Sequence, residues 1–290
     1  MMNSEEFRII DAHLHTYGTF LGKDKDLLEY MDEFGIEKAI LTTINRAASS
    51  KVYLSKDDDE RKTSNEDTFQ RALNKFQSLL SKGQLDHQDV INLSSKAPDR
   101  FYKFFWFNPK VSSDIEEESY EILAKHFDMG FCGVKIHSGI NMLKIPKDIE
   151  KLVSFMQDYN KSFPLFIHST PKVIYFGGIS SKDIGSLAKK FPELNIIIGH
   201  AAYAMEYAIE AGTLLKQFKN VYFETSCSIP YGIYNLVKMV GIERIIFGSD
   251  APVTNPIYIE IEKIKCLPLK KEQKQSIFYD NVLKLLNKIN

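Results

Sequence analysis

The sequence predicts an α/β protein of the (β/α)8 TIM-barrel class, on three observations. Eight short runs are apolar at nearly every position, amphipathic helical stretches separate them, and each run is followed on its C-terminal side by a polar residue. Runs of that kind are buried on both faces, as parallel strands are, and each parallel pair needs a crossover helix. A chain of 290 residues suits one such barrel, and 44% hydrophobic with 26% charged residues supplies a sizeable core.

The runs place strands at 7–10, 38–44, 103–107, 133–136, 164–167, 195–198, 221–223 and 244–247. Helices are expected at 115–127 and 149–160, capped by Asp114 and Asp148, and at 182–191, 204–218, 234–240 and 271–288. The interval between the second and third strands is roughly twice the next one. It reads as an insertion at about 45–100 on the C-terminal rim, with helical segments near 68–80 and 87–95 and a solvated charged stretch at 56–62. An open doubly wound sheet is the alternative, but no Gly-x-Gly-x-x-Gly turn follows the first strand. No repeat or low-complexity linker divides the chain, so a single domain is expected.

Lys and Arg total 37 against 38 Asp and Glu, a net charge of −1 with no basic block. This argues against a nucleic-acid or membrane-surface binder. No apolar run reaches the length of a membrane span, and the first six residues carry no signal-peptide pattern. Cys132, Cys227 and Cys266 form no Cys-x-x-Cys pair and read as reduced thiols, so a cytoplasmic location is expected.

Asp11-Ala-His13-Leu-His15 closes the first run. Residues two apart on a strand share a face, so both imidazoles can converge on one point. Gly133-Val-Lys135-Ile-His137 closes the fourth run, Phe166-Ile-His168 the fifth, Ile198-Gly199-His200 the sixth and Phe247-Gly-Ser-Asp250 the eighth. Five of the seven histidines thus stand at predicted strand C-termini, the mouth of a barrel; His87 and His126 do not, and replacing either is expected to do little. Buried histidines satisfied by hydrogen bonds are the bland alternative, yet scattered core histidines would not collect at one rim. Imidazoles with one carboxylate are a ligand set for zinc, or for manganese, iron or cobalt. On this reading His13, His15, His168 and Asp250 hold a cation that keeps a position for water and lowers its pKa, and Asp250 shuttles the proton. His200 is left as polariser, second base or second-site ligand, and Gly199 as room for a substrate near the backbone.

These five motifs, the last extended through Ala251 and Pro252, together resemble the amidohydrolase superfamily. The likeness is greatest to its amidohydrolase-related (amidohydrolase 2) branch, which includes metal hydrolases and aminocarboxymuconate-semialdehyde-type decarboxylases. The resemblance implies a barrel, one or two divalent metals and attack by metal-bound water. His13, His15, His168 and Asp250 match the metal ligands, and His200 matches the catalytic or second-site histidine. Lys135 shares parity with His137 and so faces inward, where an unpaired ammonium is expensive. In binuclear members a strand-4 lysine is carbamylated and bridges two metals, which would bring Lys135 and His200 into the ligand set. An ion pair with Glu224 or a contact to substrate is the other outcome, and a mononuclear site is favoured.

Substrate-binding candidates are Arg46, a carboxylate clamp or a solvated loop arginine, with Asn108, Lys135 and His137, the last shared between substrate contact and support. Trp106 reads as core, 170–180 as a lid or a plain turn, and Cys227 as structural. The leading expectation is a hydrolase that cleaves an amide, lactone or ester bond of a small polar substrate. Its expected cofactor is one zinc per chain rather than two ions, with manganese or iron as alternatives. A non-oxidative decarboxylase on the same barrel ranks second, a TatD-type DNase third because the basic stripe is missing, and a metal-binding scaffold last. A homodimer is common for such barrels.

Overall fold

The computed structural model describes residues 7–22, 25–44, 83–169 and 179–289. Eight parallel strands pair in sequence order: β1 (Ile9–His15), β2 (Ile36–Thr42), β3 (Phe101–Trp106), β4 (Phe131–His137), β5 (Leu165–His168), β6 (Ile196–Gly199), β7 (Val221–Glu224) and β8 (Ile245–Ile246). The end of the sheet returns to its start. Ala12 N donates to Phe247 O at 2.9 Å, Asp250 N to His13 O at 2.8 Å and His15 N to Ala251 O at 2.8 Å. The sheet is therefore a barrel and not an open doubly wound sheet, and its seam sets Asp250 beside the histidine pair.

Ten α-helices among the described residues surround or close it: α1 (Leu27–Glu33), α2 (Gln88–Lys96), α3 (Glu116–Asp128), α4 (Glu150–Tyr159), α5 (Ser181–Lys190), α6 (Met205–Leu215), α7 (Pro230–Val240), α8 (Ile257–Lys265), α9 (Lys271–Gln275) and α10 (Asn281–Leu286). A π-helical turn, Ser276–Asp280, joins the last two. The sequence reading did not place α1 or α8, although α1 opens on a capping box, Asp26 with Glu29, that the sequence displays. Conversely, Asp114 and Asp148 are not the caps of α3 and α4, whose N-cap residues are Ile115 and Ile149. Asp148 instead accepts Lys144 N at 2.7 Å and pairs with Lys110 at 3.1 Å. Within the interval 45–100, α2 is the β2–β3 crossover helix, whereas 45–82, including 56–62 and 68–80, lies outside the described residues. Among the described residues no helix is long and apolar enough to cross a membrane, and all three cysteines are free thiols.

Side chains alternate between two cores, as the pleat requires. Leu41, Phe105, Val134, Ile167, Ile198 and Phe223 belong to the outer core, shared with the helices. Ile10, Ala12, Ile40, Phe104, Phe166, Ile197, Tyr222 and Ile246 form the inner one, packed with Tyr279, Val282, Leu285 and Leu286 from the end of the chain. Tyr279 hydrogen-bonds Glu37 at 3.1 Å near the start of β2, so the C-terminal helix plugs the N-terminal end of the barrel.

One irregularity in β1 decides the site. Ile10 and Ala12 face inward, but Leu14 lies in the outer core, so the alternation flips between Ala12 and Leu14, where the β1–β2 register shifts. Without that bulge His13 and His15 would point at the helices. The buried Asp11 carboxylate holds it, accepting His13 N at 2.9 Å, Ser249 N at 3.0 Å and Ser249 Oγ at 2.5 Å.

Candidate metal centre

The strand register levels the predicted residues: His15 pairs with Thr42, His137 with His168 and His168 with Gly199. His200 and Asp250 follow their strands in the left-handed region, at φ 59° and 53°. This conformation is uncommon for non-glycine residues and concentrates at functional sites. Here it is held by His200 N donating to Glu224 Oε2 at 3.1 Å and by the Asp250–His13 backbone bond. Gly199 has a different role from the expected one. A Cβ there would stand 2.6 Å from the Phe166 ring, so the glycine accommodates an inner-core phenylalanine.

The hydrogen-bond partners fix where the lone pairs lie. His15 Nδ1 is 3.1 Å from the Thr43 carbonyl, and His13 Nδ1 is 3.3 Å from Glu224 Oε2 and 3.2 Å from Ser226 Oγ. Facing acceptors, both Nδ1 atoms carry the proton, and both Nε2 lone pairs look into the barrel, each 3.1 Å from Asp250 Oδ1. Burial pushes His13 down to about 3 and lowers His15, so both rings are neutral near pH 7. Burial opposes ionisation of Asp250, yet the positive charge near it, the Lys135 ammonium among it, holds its carboxyl well below the usual range. Two neutral nitrogen donors and a carboxylate aimed at one point, with no proton of their own between them, fit a divalent cation.

His13, His200 and Asp250 place one donor atom each within 4.8 Å of one another. His168 adjoins His200, its Nδ1 3.1 Å from His200 Nε2. His137 stacks on His168 with ring centroids 3.7 Å apart and on Trp106 at 6.0 Å, while its Nδ1 accepts Ile140 N at 3.1 Å. Burial drives both His137 and His168 well below the ordinary imidazole value.

Lys135 faces inward as expected but makes no ion pair with Glu224 among the described residues. Its Nζ lies 2.5 Å from His13 Nε2 and 3.0 Å from His15 Nε2, so it donates to the same lone pairs a metal would use. Burial lowers its ammonium to about 8. Asn108 is buried at the mouth, with its Oδ1 engaged by Lys110 N at 3.0 Å and Asn141 Nδ2 at 2.8 Å. Arg46 and 170–178 lie outside the described residues. Cys227 Sγ contacts Thr254 Oγ1 at 3.1 Å, and burial pushes its thiol up to about 12, which suits a structural thiol.

His87 is not among the residues that face Asp250, and its role is in packing. It is 1% exposed, accepts Trp106 N at 2.8 Å and stacks on Phe105 at 3.9 Å. His126 caps nothing catalytic and donates to Ile122 O at 2.7 Å. The residues that orient the histidines, Thr43 and Ser226, carried no sequence signal; Glu224, a carboxylate closing an apolar run, was marked only as a partner for Lys135.

A family model described as Amidohydrolase, of the amidohydrolase 2 branch, matches residues 10–288. The chain belongs to the amidohydrolase family. No curated protein matches it. Solved structures share its fold. An uncharacterized TIM-barrel protein from Bordetella bronchiseptica is 16% identical with a TM-score of 0.70, over 97% of this chain and 99% of that one. A candidate 2-pyrone-4,6-dicarboxylic acid hydrolase from Pseudomonas putida is 14% identical with a TM-score of 0.62, over 97% and 98%. A dihydroxybenzoic acid decarboxylase from Polaromonas sp. JS666, solved with manganese and 2-nitroresorcinol, is 17% identical with a TM-score of 0.59, over 98% of each chain.

Proposed function

We propose that this amidohydrolase is a metal-dependent hydrolase that cleaves an amide, lactone or ester bond of a small polar substrate. The observation that carries the reading is the reach of Asp250. One of its oxygens faces the His13 and His15 lone pairs at 3.1 Å, and the other faces His200 Nε2 at 3.9 Å. A divalent cation held by His13, His15 and Asp250, with His168 or His200 as a further donor, supplies Lewis acidity to a scissile carbonyl and lowers the pKa of water. Asp250, kept ionised, accepts the proton of the attacking water and returns it to the leaving group. His200 Nε2 lies within the same proton path. Lys135, cationic below about pH 8, and His137 beside Trp106 orient the substrate, with Arg46 as a carboxylate clamp and Asn108 shaping the mouth. Zinc, manganese or iron suits this donor set, with one ion per chain favoured.

A second reading rests on a different observation. Trp106, His137 and His168 stack in sequence, and the Lys135 ammonium lies 4.9 Å from the Trp106 ring, which suits a flat carboxylated ring and hence decarboxylation. The relatives' names fall on both sides, a hydrolase of a pyrone dicarboxylic acid and a decarboxylase of a dihydroxybenzoic acid.

The test incubates metal-loaded protein with carboxylated lactones and with hydroxybenzoates, following acid release and carbon dioxide. Acid release without carbon dioxide is the expected result; carbon dioxide from the aromatic acids would replace the first reading by the second. Elemental analysis accompanies it. About one ion per chain is expected, and about two would bring Lys135 and His200 into the ligand set.

A further inference from the structure

We propose that Ser226, held by Glu224 at the end of β7, is a positioning residue that locks His13 and His200 in one tautomer and couples the two rings. The inference rests on the reading of His13 and His200 as groups that present lone pairs to the site.

The argument is a count of protons. A serine hydroxyl has one proton to give and two lone pairs with which to accept. Ser226 Oγ lies 2.8 Å from Glu224 Oε2, 2.9 Å from His200 Nδ1 and 3.2 Å from His13 Nδ1. All four residues are buried, with Glu224 and Ser226 0% exposed, so no solvent competes for these contacts. The bond to a carboxylate is the strongest of the three and takes the proton. The oxygen is left as an acceptor only, with one lone pair for each ring. Both rings must then carry their proton on Nδ1.

Independent contacts agree. Glu224 Oε2 is a second acceptor for His13 Nδ1 at 3.3 Å, and the Ser226 carbonyl is a second acceptor for His200 Nδ1 at 3.3 Å. The carboxylate is itself pinned. Its Oε2 accepts His200 N at 3.1 Å and its Oε1 accepts Ser226 N. Gly248 leaves the space for it, since a Cβ there would fall 2.3 Å from Oε1.

The consequence lies on the far side of each ring. With Nδ1 protonated, His13 Nε2 and His200 Nε2 are both bare, and they face the two oxygens of Asp250. His200 Nε2 accepts in turn from His168 Nδ1. One hydroxyl therefore sets the donor state of a cation ligand and of the neighbouring histidine together. Removing the Glu224 charge frees the hydroxyl proton to turn toward an imidazole, and either ring can then move its own proton to Nε2.

The tautomers can be read without metal or turnover, by ring 15N chemical shifts of the metal-free protein at neutral pH. Both rings are expected in the Nδ1–H form. Ser226→Ala and Glu224→Gln should each shift the His13 or His200 nitrogens toward the other tautomer. Cobalt titration should show weaker binding, by about 10- to 100-fold, and Ser226→Thr should restore both signals. A wild-type ring with its proton on Nε2 would overturn the proposal outright, even if the protein proves a hydrolase. So would Ser226→Ala and Glu224→Gln proteins with unchanged ring nitrogens. Should Ser226→Ala not fold, the wild-type tautomers and the Ser226→Thr and Glu224→Gln variants still decide. Nδ1–H rings in a protein without hydrolytic activity would keep this inference and discard the proposed reaction.

Discussion

The two halves of the barrel interior obey opposite rules. Toward the N-terminal end Ile10, Ile40, Phe104, Ile197, Tyr222 and Ile246 pack against Val282, Leu285 and Leu286. Burial of apolar surface stabilises that half without directional demands. Toward the C-terminal end the same strands enclose His13, His15, Lys135, Glu224 and Asp250, all nearly inaccessible. Each of these is costly to bury unless a partner meets it, and most of the partners are other members of the same group. One half is held by apolar packing and the other by polar groups that must satisfy one another. Substitutions should therefore separate cleanly into losses of fold and losses of chemistry.

The largest effect is expected at the upper half. Asp250→Asn removes the proton acceptor and a donor to the cation, so turnover should fall by about 100- to 10,000-fold while the circular dichroism spectrum is retained. Wild-type turnover in that variant would end the assignment of the mouth as the site. Next, in the lower half, Leu285→Ala should cost about 2–5 kcal/mol in urea unfolding, with kcat of the folded fraction unchanged. A matching loss of kcat would mean that the halves are not separable.

Gly199→Ala probes the boundary between them. The added methyl meets the Phe166 ring, so about 1–3 kcal/mol of stability should be lost, with a smaller effect on Kd for the metal. A metal site destroyed at unchanged stability would restore the idea that this glycine makes room for substrate. The smallest effect concerns His87, outside both halves. Burial holds its ring at about 3, below the ordinary 6.5. Between those values the unfolded chain binds a proton that the native state does not, so stability is fully present above about pH 6.5 and falls as the pH drops toward 3. His87→Gln should flatten that acid dependence by up to about 2 kcal/mol between pH 7.5 and 5, measured by urea titration at both values. An acid dependence identical to wild type would show that the ring does not titrate this way.

The sequence was most legible where burial is uniform. The eight apolar runs correspond to the eight strands because a parallel strand covered on both faces has no polar position to blur the pattern. It was less legible where local signals compete. α1 carries its capping box but too short an apolar period, and Asp114 and Asp148, good caps by residue type, stand one position outside the observed N-cap residues. At the site, strand-end position marked His13, His15, His200 and Asp250, whose donor atoms lie close together in the folded chain. The same reading set His168 as the ligand and His200 as the polariser or second-site residue, whereas in the fold the two rings touch, His168 Nδ1 lying 3.1 Å from His200 Nε2.

What the residue pattern determined by itself is the barrel and the gathering of imidazoles and a carboxylate at one rim. Period and strand-end position are properties of the chain, fixed before any long-range contact forms. Tertiary structure decided the rest. The bulge after Ala12 turned His13 and His15 inward, through an Asp11 carboxylate whose other partner is more than two hundred residues away at Ser249. Partners brought from β2 and β7 protonated Nδ1 and bared Nε2, and Lys135 met those lone pairs rather than Glu224. Hydrogen bonds depend on direction over a few tenths of an ångström, and only the closed barrel sets those directions.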